Sequence, residues 1–312
     1  EYYNNSININ IGYFRNLKHL IAKSNTTNYE IINSKNLQTL KLFNNDAITD
    51  IGINNLTNLT NLNTNSLLTD DGIKHLTGIT TLDIYENYKI TDAGIKHLTN
   101  ITKISIDGII TIVGLLSLVN LVDLSIFDSE IDNNDLKKLT NLTKLDLCYN
   151  ETTTDNGIKD LTNIKRLGMN NLISYNGIKN LTNITTLLMC YDCKLNDNDI
   201  KKLTNLKKLE INNDITYDGF KNLTNLESLT VTTHIDDNQI KNLTNLTNLN
   251  LLLNFTITDD GIKNLTNLKK LYTNYNITNY GIKKLTNLTK IKFNDSITYL
   301  GIKHLTNIQN FY

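Results

Sequence analysis

The cysteines, histidines, paired acids and glycines are the residues that could do chemistry. The three cysteines are Cys148, Cys190 and Cys193. Cys190-x-x-Cys193 is a single pair, and a structural zinc site needs four ligands. Cys148 and Cys190 lie 42 residues apart, two units of the repeat described below. Strands about 4.8 Å apart put them about 10 Å from each other, too far for an unstrained disulfide, so free thiols are expected. His75, His97 and His304 each follow Gly-Ile-Lys, an outward helix position where solvent is the expected neighbour. His19 and His234 have no Cys or His companion at metal-ligand spacing. Asp70-Asp71 and Asp259-Asp260 fall at predicted helix starts, where the dipole favours them, so they are expected to cap rather than to transfer protons. Glycines recur singly, which excludes a phosphate-binding loop. No nucleophile–base pair stands apart from the repeat. The expectation is a chain without catalysis, cofactor or metal.

Composition narrows the class further. The 312 residues carry 31 Lys+Arg against 31 Asp+Glu, no Pro, no Trp and 53 Asn. Zero net charge argues against a nucleic-acid partner, which calls for a basic domain or face. No apolar run reaches the roughly 18 residues of a membrane span. An apolar content of 39% argues against a disordered polar tract. More than a dozen Asn-x-Ser/Thr sequons, such as Asn100, Asn141, Asn183, Asn245 and Asn287, would be decorated in a eukaryotic secretory pathway. The first twenty residues hold no signal-peptide core. A cytoplasmic location is therefore expected. The chain begins with Glu and stops at Ile308–Tyr312, partway through a predicted strand with Phe311 inward. An upstream segment, and with it a secreted or surface setting, stays open.

The elements that must position any site come from one repeat. An apolar anchor recurs at Leu17, Leu37, Leu59, Ile79, Ile101, Leu121, Leu142, Ile164 and onward to Ile308, always 20, 21 or 22 residues from the last. A fixed period of that size decides the fold, and one domain over 1–312 is expected. Within a unit, L-x-x-L-x-L (Leu142, Leu145, Leu147) ends in strand-like alternation. Some units place Asn next (Asn45, Asn87, Asn150, Asn254), then a Thr-Asp pair that caps a short helix over GIKxL. About six apolar side chains per unit point inward and need stacked neighbours to bury them. Fourteen of the fifteen anchors follow Asn; the other follows Gly78. Both residue types tolerate the left-handed conformation, so this position is expected to end the helix with positive φ.

The L-x-x-L-x-L-x-x-N pattern, at 20–22 residues and over nearly the whole chain, resembles the leucine-rich repeat. The ITDxGIKxLTNLxxLxL form is most similar to the short repeats of F-box/leucine-rich-repeat proteins and of bacterial and large-DNA-virus arrays. The resemblance implies an α/β right-handed solenoid, a horseshoe of about fourteen repeats. Its parallel sheet would line the concave face and its short helices the convex one. The 20-residue units depart from the pattern by lacking two residues near the Asn, which puts their Asn ladder in doubt. The resemblance also implies a protein partner on the concave face. Outward strand positions two, four and six past each anchor supply candidates. They include Phe43, Tyr85, Asp107 and Phe127, with Asp83, Asp123 and Asp146 beside them. Lys208, Lys270, Tyr272, Lys290 and Lys292 lie towards the other end. Asn65, Asn170, Asn212, Asn274 and Asn294 are outward by the same count. The aromatic rings serve either as a recognition patch or as covers packed on neighbouring strands. A monomeric, non-catalytic recognition module or scaffold is expected. The substrate-receptor part of a ubiquitin ligase, or a surface adhesion protein, is the alternative.

Overall fold

The computed structural model describes residues 2–3, 16–64, 66–190, 192–211, 215–232 and 235–311. Arg15, Asn65, Asn212 and His234 lie outside the described residues, as does the side chain of Phe311. The chain divides into two compact units, Glu1–Asn163 and Ile164–Tyr312. The first carries β1 (Tyr2–Tyr3), β2 (His19–Ile21), β3 (Thr39–Lys41), β4 (Asn61–Asn63), β5 (Thr81–Asp83), β6 (Lys103–Gly108), β7 (Asp123–Ser129) and β8 (Lys144–Asp146). The second carries β9 (Arg166–Met169), β10 (Thr186–Met189), β11 (Lys208–Ile211), β12 (Ser228–Val231), β13 (Asn248–Asn250), β14 (Lys270–Tyr272), β15 (Lys290–Lys292) and β16 (Asn310–Phe311). In each unit the strands form a parallel sheet in sequence order. A helix follows each strand from β2 to β15, four residues long except for Ile112–Ser117.

Register follows from the anchors. Leu40, Leu62, Leu82, Ile104, Leu124 and Leu145 lie opposite one another along the first sheet. The repeat begun at Ile79 buries Ile79, Leu82, Ile84, Ile90, Ile95 and Leu98, none more than 1% exposed. Each such side chain contributes about 1.5–3 kcal/mol over leaving it in water. A repeat has no second layer of its own, so this burial exists only because neighbours stack on both sides.

Polar residues of the repeat form ladders between neighbours. The helix-start Asp receives the next repeat's Thr: Asp50 accepts from the Thr69 N–H at 2.9 Å and its hydroxyl at 2.7 Å. Asp70 does the same for Thr91, and Asp259 for Thr278. The glycine of GIK makes room for that carboxylate, since a Cβ on Gly72 would come within 2.2 Å of Asp50 Oδ1.

The Asn before most anchors forms a second ladder, and this corrects the expected left-handed turn. Only Asn44, Glu86, Asp192 and Gly108 have positive φ among the described residues. The pre-anchor amide instead donates to the Thr carbonyl of the preceding repeat, as Asn100 to Thr77, Asn225 to Thr204 and Asn287 to Thr266 at 2.9–3.0 Å. The Thr completing the sequon donates its hydroxyl likewise, Thr102 to Thr80 O and Thr289 to Lys269 O. Asn-Leu-Thr is thus a pair of inter-repeat bonds, and Gly78 lacks the amide half of it.

A third ladder lies under the loops. Asn87, fully buried, donates to Leu68 O and accepts from the Lys89 and Ile90 N–H groups. Shorter repeats keep this ladder by using the residue six past the anchor rather than eight. Asn170 and Asn274 are only 2% exposed, not outward as the uniform count expects. Asn274 donates to Ile257 O and accepts from Asn276 N–H, both at 2.9 Å.

Candidate partner-binding face

Alternating repeat length shapes the outer surface of the first sheet. In the 22-residue repeats the sixth residue past the anchor stays outside, so Phe43 is 53% and Tyr85 45% exposed. In the intervening 20-residue repeat the equivalent residue, Asp107, sinks to 5%. The rings on either side lean over it. Tyr85 and Phe127 meet edge-on with centroids 4.9 Å apart, although their strands β5 and β7 are two steps apart and so about 9.6 Å. Tyr149 stacks beyond Phe127 at 6.0 Å and 20°. The rings therefore pack on one another while keeping exposed faces.

Together they border a concavity of about 760 Å³ that brings Phe43, Tyr85, Asp107 and Phe127 into one place. Asp46, Asp83, Glu86 and Asp128 also line it, and no Lys, Arg or His is among the described lining residues. Asp83 accepts only neutral donors there, the Asn63 amide at 3.0 Å and the Tyr85 N–H at 3.2 Å. Asp107 Oδ2 accepts from the Glu86 N–H at 3.3 Å and the Tyr88 hydroxyl at 3.4 Å, while its buried Oδ1 has no hydrogen-bond partner. The negative field shows in the phenols. Tyr85 is held above the usual tyrosine range by the Glu86 carboxylate, then by burial and Asp107. Tyr88 is raised by Asp107 first, then by burial. Asn44 and Glu86, which line the same concavity, sit at φ of 54° and 58°. Left-handed backbone costs non-glycine residues about 1–2 kcal/mol, and such strain gathers at functional sites.

Two predicted acids stand apart from this group. Asp123 is engaged by Lys144 at 3.4 Å and Lys103 at 4.0 Å, and Asp146 accepts from the Cys148 N–H. In the second sheet, Lys270 lies opposite Lys290 and Tyr272 opposite Lys292 on β14 and β15. Lys208 is on β11, three strands away from β14. The lysine candidates therefore comprise one adjacent group and one separate residue.

The remaining chemistry resolves into structure. Cys148 and Cys190 are disulfide-bonded, which overturns the expectation of free thiols for those two. Strand spacing constrains backbones and left the sulfur atoms undetermined. Cys193 is the free cysteine, buried, its thiol pushed up to about 11 by desolvation. His75 and His304 reach the carbonyls of Asn54 and Lys283 at 3.0 and 2.8 Å, another inter-repeat contact. In the acid pairs the first Asp is the ladder residue and the second binds Lys three residues on, Asp71 to Lys74 and Asp260 to Lys263. Sequence reasoning missed Tyr149, Glu86 and Asp128 at the concavity because it counted only fixed offsets from the anchor. It also missed Val113, Leu116 and Val119, exposed by 51–70% on the helix side. Their signal was legible: residues 109–122 contain no charge.

No protein-family model matches the sequence, and no curated protein sequence matches it. In structure the chain is similar to one in the Rad7–Elc1 complex of yeast, with a TM-score of 0.56 and 19% identity over 85% of this chain and 83% of that one. A chain of the Drosophila Toll–Spatzle complex gives 0.53 and 14% identity over 98% of this chain and 51% of that one. The fold is that of a leucine-rich-repeat array. An internalin from Listeria monocytogenes is 22% identical over 95% of this chain and 86% of that one, with a TM-score of 0.45. In this leucine-rich-repeat array the sheet surface carries the aromatic and acidic residues, while the helix side carries the capping ladders. Among the described residues no helix is long and apolar enough to cross a membrane.

Proposed function

We propose that the chain is a non-catalytic recognition module that holds a partner protein on the outer surface of its first sheet. The observation that carries this reading is the row Tyr85, Phe127 and Tyr149, its two tyrosines exposed, over a carboxylate-lined concavity. Aromatic side chains around a partly desolvated pocket are the usual energetic centre of a protein interface. The Rad7–Elc1 and Toll–Spatzle structures, with TM-scores of 0.56 and 0.53, are of complexes with a second protein, which agrees with this use of the fold. Affinity capture with the intact chain beside a Phe43/Tyr85/Phe127→Ala variant tests it. Loss of specific partners by the variant supports the reading, and identical partner sets overturn it.

The oxidised state of Cys148 and Cys190 favours a second setting for the same module, outside a reducing cytosol. Thiol counting on protein isolated without reductant separates the two. One reactive thiol after denaturation supports the oxidising compartment, and three support the cytoplasm.

A further inference from the structure

We propose that the concavity above Asp107 receives a lysine or arginine side chain presented by a basic segment of the partner protein. The proposal deepens the recognition reading and rests on it. Its first ground is charge. Five carboxylates, Asp46, Asp83, Glu86, Asp107 and Asp128, line one opening, and none is in an ion pair among the described residues. A groove of one sign with low-dielectric walls concentrates the field on an incoming ion of the opposite sign.

The second ground is the identity of residue 107. By count from its anchor it takes the place of Asn170 and Asn274 and is buried like them, although it lies within β6 while they follow the ends of their strands. There the amide serves as donor and acceptor at once, as Asn274 does. A carboxylate in that place loses the donor, and Oδ1 of Asp107 is left buried without a partner. A buried, incompletely satisfied carboxylate is unfavourable on its own and becomes favourable when a cation approaches. The fold supplies no donor for this oxygen, and a cation presented by a partner would.

The third ground is aromatic geometry. The exposed faces of Tyr85, Phe127 and Tyr149 border the same opening. Ring faces attract ammonium and guanidinium groups, most strongly where water is partly excluded. Acids alone would suit a metal ion, but no three described His, Cys, Asp or Glu residues converge closely enough to hold one. Rings and separated carboxylates match an organic cation on a flexible stem.

Fluorescence anisotropy on the whole chain tests this with labelled nona-arginine, nona-lysine and nona-glutamate peptides at about 50 and 300 mM salt. Nona-arginine and nona-lysine should bind, weakening with salt, and nona-glutamate should not. Asp107→Asn should weaken nona-arginine binding by about tenfold or more, and Phe127→Leu by about three- to tenfold. Asp218→Asn, which removes the same charge from the helix side, should change it by less than about twofold. Thermal melting confirms that each variant is folded, and Asp107→Asn is expected to melt no lower than the parent. Equal weakening by Asp107→Asn and Asp218→Asn would reduce the binding to nonspecific charge and overturn the proposal, as would the absence of binding. If the triple aromatic variant loses its captured partner while Asp107→Asn keeps it, the cation pocket fails and the recognition reading stands. If both variants capture what the parent captures, the recognition reading fails first.

Discussion

Asp107 in the first unit and Asn274 in the second fill the same ladder position in repeats of the same 20-residue length. Asn274 is satisfied on both sides of its amide, and the sheet around it carries the lysines of β14 and β15. Asp107 is satisfied on one oxygen only, and rings and acids surround it. The count from the anchor is shared, but the backbone is not: Asn274 follows the end of β14, whereas Asp107 lies within the longer β6, beside a register shift at Ile106–Gly108 and the positive φ of Gly108. A repeat array can still be read position by position, with each repeat as the control for the others. At Asp107 the departure from Asn leaves one buried oxygen without a hydrogen-bond partner.

The comparison breaks most visibly if the amide is exchanged for the acid where the amide is at home. Asn274→Asp should lower stability by about 2–4 kcal/mol, because a carboxylate would face the Ile257 carbonyl it now bonds. Urea unfolding followed by circular dichroism reads this, and a midpoint equal to the parent's would show that the position does not discriminate the two groups. Removing the group altogether is next in size. Asn87→Ala removes the bond to the Leu68 carbonyl and those from the Lys89 and Ile90 N–H groups beneath a loop, for a loss of about 2–3 kcal/mol by the same measurement.

Exposed ladder positions should respond less. Asn225→Gly and Asn225→Val each remove one bond to Thr204 O and should each cost about 0.5–1.5 kcal/mol. A near-neutral glycine beside a damaging valine would instead restore the left-handed turn. The smallest effect belongs to the helix-side ion pairs. The Lys74 hydrogen bond and charge hold Asp71 below its ordinary 3.8, and Lys221 acts likewise on Asp218. Their contribution is present above 3.8 and is lost as pH falls through the depressed value. It is also lost at the alkaline end, as pH rises through the raised lysine values above 10.5. An Asp71→Asn/Asp218→Asn variant should melt slightly below the parent at pH 7 and together with it at pH 2. Equal melting at both pH values would leave these exposed pairs without effect.

The sequence shows the strands, the helices and the inward residues because apolar spacing alone dictates them, as at Leu82, Ile84 and Ile90. The polar ladders are less legible, since a residue type allows several uses. Asn100 and Asn225 tolerate positive φ, but their amides find a carbonyl on the neighbouring repeat, a contact that exists only after stacking. The glycine of GIK has the same origin, cleared for the carboxylate of another repeat. The candidate face is half legible. Phe43, Tyr85 and Phe127 stand at 42-residue intervals and do converge with Asp107. The burial of Asp107 follows from a two-residue shortening whose meaning depends on where the loop is shortened. Asn170 and Asn274 carried that information, six residues past their anchors instead of eight.

Stability and binding measured together on one variant, Asp107→Asn, test the central claim most directly. The account predicts a melting midpoint equal to or above the parent's, together with at least about tenfold weaker nona-arginine binding. A lower midpoint with unchanged binding would make Asp107 an ordinary structural residue and contradict it.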